Sequence, residues 1–133
     1  MSSSTIEEMD LSCLDTSQVT NMQSMFYDCT QLTTLQLGAE FSTKNVTTMS
    51  SMFYNCANLT ALKMGDADFH FDTSNVTNMN SMFRGCSSMT ELDLSSFNTS
   101  NVTNMGEMFA GSNKLEEVVF GDNFTAAKVQ DMY

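Results

Sequence analysis

Hydrophobic positions recur along this chain in fixed columns. Val19, Val46, Val76, Val102 and Val129 align at spacings of 27, 30, 26 and 27 residues. Three positions on stand Met22, Met49, Met79, Met105 and Met132. Three further stand Met25, Met52, Met82 and Met108, each followed by a phenylalanine: Phe26, Phe53, Phe83 and Phe109. A column of small residues follows, Cys29, Cys56, Cys86 and Ser112. An L-x-x-L-x-L block then closes each unit, as in Leu32/Leu35/Leu37 and Met89/Leu92/Leu94. Ile6, Met9 and Leu11 repeat that block at the start of the chain. The pattern divides the chain into units 19–45, 46–75, 76–101 and 102–128, flanked by partial units 6–18 and 129–133. Such periodicity marks a single domain of tandem units that bury their apolar faces on one another.

The first half of each unit predicts a short helix. Val19, Met22, Met25, Phe26 and Cys29 share one helical face. Asp15, Ser42, Asp72, Asn98 and Thr125 stand four residues before the valines, and all are N-cap formers. Leu14, Phe41, Phe71, Phe97 and Phe124 precede them, so that each forms a hydrophobic staple with its valine. Thr, Ser, Asn and Val are mediocre helix formers, so packing must hold these helices. The second half predicts a short strand, with Leu35 and Leu37 or Leu92 and Leu94 alternating with polar neighbours. The expected fold is an α/β solenoid of leucine-rich-repeat type. Five parallel strands would form a concave sheet, and short helices would cover the convex face.

Charge narrows the function. Asp and Glu number 16 against 5 Lys and Arg, a net charge of −11. That balance argues against nucleic acid, whose phosphates need clustered cations, and against an anionic membrane surface. It leaves open a cationic partner, calcium, or a charge that only maintains solubility. No stretch approaches the apolar run of a membrane helix, and residues 1–5 carry no signal-peptide pattern.

The runs Val76-Thr-Asn-Met-Asn-Ser-Met-Phe83 and Leu92-Asp-Leu-Ser-Ser-Phe-Asn-Thr-Ser-Asn-Val-Thr-Asn-Met105 resemble the BspA-like leucine-rich-repeat surface proteins of bacteria. Similar repeats occur in mycoplasma lipoproteins and some microbial eukaryotes. The resemblance runs from about Ile6 to the end of the chain. It implies a cell-surface or secreted adhesion module that holds host or neighbouring-cell proteins, and it carries no catalytic residues or cofactor.

The outward strand residues are the first candidate binding surface: Glu8, Asp10, Thr34, Gln36, Lys63, Glu91, Asp93 and Glu117, with Ala61 and Val119 between them. Strand alternation places them on the open face. The second candidate is the insertion of the 30-residue unit, with Asp66, Asp68, Phe69 and His70. Insertions in repeat arrays often serve binding. One His and two Asp are too few for a calcium or transition-metal site, so no metal is expected.

The inward cysteines read as small core residues, and all four, with Cys13 the most accessible, are expected to be reduced. Nine of the 13 methionines fill the two inner columns, which core packing explains. Asn75 and Asn101 recur within N-x-S/T triplets; they either support a helical turn or stack as a polar ladder. With one His and no phosphate loop, no catalytic constellation emerges. The expected function is protein binding or adhesion. The alternative is a structural module that self-associates through uncapped end units into a homo-oligomer.

Overall fold

The computed structural model describes residues 6–38, 40–60, 62 and 71–130. Among the described residues four strands form: β1 Glu8–Leu11, β2 Thr34–Leu37, β3 Glu91–Leu94 and β4 Glu117–Phe120. They make two separate parallel pairs, β1 with β2 and β3 with β4. The register joins equivalent positions, Met9 beside Leu35 and Leu92 beside Val118. The strand expected around Ala61 and Lys63 falls outside the described residues.

No helix occurs among the described residues. The expected leucine-rich-repeat-type solenoid, with helices covering a convex face, is therefore not the architecture. The helical segments are instead runs of tight turns. The Met25 amide donates to the Met22 carbonyl at 3.3 Å, and the Cys29 amide to the Phe26 carbonyl at 3.3 Å. The third residue of each turn is left-handed: Ser24 at φ 58° and Asp28 at φ 59°. Such a turn requires positive φ there, and an α-helix excludes it.

The same two positions recur as Ser51 and Asn55, Ser81 and Gly85, and Glu107 and Gly111. Asn, Asp and Gly reach this region most readily. A turn closed from i to i+3 puts apolar residues three apart on one side. A helix face has the same spacing, which is why the pattern predicts a helix where turns stand.

The cap residues act locally. Asp15 accepts from the Ser17 amide at 2.9 Å, and Asp72 from the Ser74 amide at 3.0 Å. These are Asx turns. One closed turn follows, Val19 to Thr16 and Val76 to Thr73, and no helix propagates.

The amides that a helix would use internally bond to the next unit. Met22, Ser24, Phe26 and Asp28 donate to the carbonyls of Thr48, Ser50, Met52 and Tyr54. Met49, Ser51, Phe53 and Asn55 donate likewise to Asn78, Asn80, Met82 and Arg84, and the following pair of units repeats the pattern. Equivalent residues thus lie one over another. Phe26, Phe53, Phe83 and Phe109 stack in sequence, with centroids 5.3, 5.5 and 6.0 Å apart and planes within 10° of parallel. With the buried valines, methionines and leucines they form one apolar core.

Candidate functional site

Two built polar columns hold the units in register. Thr16, Thr43, Thr73 and Thr99 are buried. Each hydroxyl serves one residue of the next unit twice. Thr73 Oγ1 donates to the Asn98 carbonyl at 2.9 Å and accepts from the Asn98 amide at 2.8 Å. Thr16, Thr43 and Thr99 do the same for Ser42, Asp72 and Thr125. On the surface, Asn45, Asn75 and Asn101 donate through Nδ2 to the carbonyls of Ser17, Lys44 and Ser74 in the preceding unit, each at 2.8 Å. Of the two readings of these asparagines, the ladder describes them.

The inner small-residue column has one chemistry. Cys56 Sγ donates to the Phe26 carbonyl and Cys86 Sγ to the Phe53 carbonyl, both at 3.2 Å. Ser112 Oγ donates to the Phe83 carbonyl at 2.7 Å. None of the four cysteines is in a disulfide; Cys13 is exposed and the others are buried. Burial raises the pKa of Cys29 and Cys56 and pushes Cys86 up to about 12. Buried neutral thiols of this kind are inert.

The strand faces carry the exposed chemistry. Glu8, Asp10, Thr34 and Gln36 point outward from one sheet, with Glu8 beside Thr34 and Asp10 beside Gln36. Glu91, Asp93 and Glu117 point outward from the other, with Glu91 beside Glu117 and Asp93 beside Val119. β2 and β3 do not pair with each other, so the structure gathers these residues into two sets. Lys63, Asp66, Asp68, Phe69 and His70 lie outside the described residues.

Not every acid is free to bind. The Ser12 hydroxyl and amide hold the Asp10 carboxyl below the usual carboxylate range, and Ser95 does the same for Asp93. Each pair closes a turn at the strand end, the amides lying 2.9 Å from Oδ1. Glu91 and Glu117 remain the outward carboxylates of the second sheet. Thr60, Leu62, Thr90, Glu91 and Asp93 line a cavity of about 320 Å³ beside them. Among the described residues, no group of three His, Cys, Asp or Glu stands where it would hold a metal ion.

A second exposed feature escaped the sequence reading. The residue after each core phenylalanine forms a column of Tyr27, Tyr54, Arg84 and Ala110. Tyr27 stacks on Tyr54 with centroids 4.7 Å apart. The Arg84 guanidinium lies 5.6 Å from the Tyr54 centroid and pairs with Glu107. Tyr54, Arg84 and Ala110, with Asn55, Gly85 and Gly111, line a groove of about 290 Å³. Their fixed offset from Phe26, Phe53, Phe83 and Phe109 was the available signal. The buried threonine column was equally visible, one residue after each cap.

The family described as "Mycoplasma protein of unknown function, DUF285" matches residues 2–69 and 39–133. The chain belongs to this family. The two DUF285 matches overlap over residues 39–69, from the end of the unit 19–45 into the unit 46–75. No curated protein and no solved structure matches the chain significantly. Among the described residues of this DUF285 chain, no helix is long and apolar enough to cross a membrane.

Proposed function

We propose that this DUF285 chain is a non-catalytic protein-binding module of a bacterial surface protein, akin to the BspA-like adhesins, and that it binds through the outward faces of its strands. The observation carrying this reading is the placement of Glu91 directly beside Glu117. Like charges at neighbouring positions of a ladder destabilise a sheet. Both carboxylates are exposed, and the short parallel pair has no compensating outward cation. A cationic patch on a partner would relieve that repulsion and gain charge-assisted contacts. Protein–protein recognition suits a rigid repeat scaffold of this kind.

The test is surface-plasmon binding of the chain to immobilised extracellular-matrix and cell-surface proteins, at low and high salt. The comparison is with the Glu91→Lys/Glu117→Lys double variant, which keeps like charges at both positions. The reading expects a partner bound by the wild type, weakened by salt and lost in the variant. A partner bound equally by both chains would reject this surface.

A further inference from the structure

The left-handed column two residues after each core phenylalanine changes character half-way along the array. Asp28 and Asn55 fill it with side chains, and Asn55 Nδ2 donates to Asp28 Oδ1 at 2.6 Å. Gly85 and Gly111 leave it bare. A β-carbon on Gly85 would lie 3.4 Å from Asn55 Oδ1, so that oxygen overhangs the bare backbone. Beside it stands Arg84, with its guanidinium against the Tyr54 ring and paired with Glu107. The groove of about 290 Å³ lies here. Tyr54, Asn55, Arg84 and Gly85 sit in units 46–75 and 76–101, and each of these units is bonded to a neighbour on both sides. The groove at Gly85 therefore opens sideways from the stack of units and not along it.

The occupant follows from the groups on offer. The main chain is already paired: the Asn55 amide donates to the Arg84 carbonyl at 2.7 Å, the Gly85 amide to the Ala110 carbonyl at 2.8 Å, and the Gly85 carbonyl accepts from the Ser87 amide at 2.8 Å. An extended peptide, which docks through main-chain bonds, finds no partner among these groups. Glu107 offsets the charge of Arg84 and disfavours an anion, while Arg84 itself disfavours a cation. What remains is a set of side-chain groups over an apolar floor. Arg84 keeps donors beyond the one that meets Glu107. Asn55 Oδ1 is an acceptor whose own amide nitrogen is held by Asp28. The Gly85 α-carbon is the floor between them.

We propose that this groove binds a neutral monosaccharide unit of a glycan, an activity separate from the strand faces. Neighbouring sugar hydroxyls each donate and accept. Arg84 donates to one hydroxyl oxygen, the adjacent hydroxyl donates to Asn55 Oδ1, and the C–H face of the ring rests on Gly85. The stack on Tyr54 fixes the guanidinium before the ligand arrives, which lowers the ordering cost of binding.

The probe is an array of neutral and anionic glycans read with the labelled full chain, with the methyl glycoside of each bound terminal sugar then titrated by ligand-observed NMR. Two variants test the site. Gly85→Asn fills the floor with the residue that already stands at the equivalent position 55. Arg84→Met keeps a side chain over Tyr54 and removes the donors. The proposal expects neutral glycans to bind, with at least a roughly tenfold loss in each variant and no change in Glu91→Lys/Glu117→Lys. Binding of anionic glycans alone would overturn it in favour of the Arg84 charge. Neutral glycans bound equally by wild type and both variants would place the site elsewhere and overturn it, as would a folded wild type that binds no glycan. The protein-binding reading fails or stands separately, through the Glu91/Glu117 variant.

Discussion

Thr73 and Asn98 make a closed pair across 25 residues of sequence: one hydroxyl donates to the Asn98 carbonyl and accepts from the Asn98 amide. Thr73 is fully buried, so water cannot replace it. Thr73→Val keeps the shape and strands both backbone groups. Leaving a buried polar group unpaired costs about 1–3 kcal/mol. We expect Thr73→Val to lower stability within that range in urea titration, and the exposed Thr103→Val to change it by less than about 0.5 kcal/mol. Equal effects would contradict a structural role for the buried column.

Gly85 sits at φ 76°, and a β-carbon there would lie 3.3 Å from the Asn55 α-carbon. Gly85→Ala should therefore destabilise by about 1–2 kcal/mol. Gly85→Asn should cost less, because Asn55 already occupies the equivalent left-handed position at φ 57°. The ranking, read from urea midpoints, is the check.

The buried thiols predict alkaline weakness. Cys86 is held neutral in the folded chain up to about pH 12, whereas an ordinary thiol ionises near 9. Between those values the folded state binds more protons than the unfolded one, so stability falls as pH rises. The slope per thiol is at most about 1.4 kcal/mol per pH unit. Below pH 9 the contribution is fully present. Cys56→Ser/Cys86→Ser should flatten the alkaline loss while keeping the hydrogen bonds, since Ser112 already makes the same bond. A variant as alkali-sensitive as the wild type would refute the thiol origin.

Glu117→Lys replaces a like pair with an opposite pair beside Glu91. Cross-strand pairs are worth about 0.2–1 kcal/mol. The variant should be more stable than the wild type by that order, and poorer at binding a cationic partner. Gain of stability with unchanged binding would separate the acidic row from function.

The inward residues of the inner units were legible in the sequence, although Ile6, Leu14 and Phe120 of the outer units are exposed; the backbone that carries them was not. Val46, Met49, Met52, Phe53 and Cys56 were assigned to one inner face, and all are fully buried. Yet a helix and a run of turns closed from i to i+3 share that spacing. The turns are set by the polar column Ser24, Ser51 and Ser81, where left-handed geometry is unusual for serine and leaves little trace in composition. Cap residues misled for a related reason. Asp15 and Asp72 make the same amide contact in an Asx turn as at a helix start. Glu8, Glu91 and Glu117 were placed outward by alternation alone, which needs only local geometry. Which strand each lies beside depends on pairing between units, which no single repeat encodes.

Scalar couplings across hydrogen bonds, read by NMR, test the central claim, that the units are bonded to one another rather than folded as helices. The Phe53 amide donates to the Met82 carbonyl and the Phe83 amide to the Met108 carbonyl, both at 2.9 Å. The Phe53 nitrogen should therefore couple to the Met82 carbonyl carbon, and Phe83 to Met108. A helix in each unit would couple Phe53 to Met49 and Phe83 to Met79 through its own i to i−4 bonds, and couplings to those carbonyls would contradict this account.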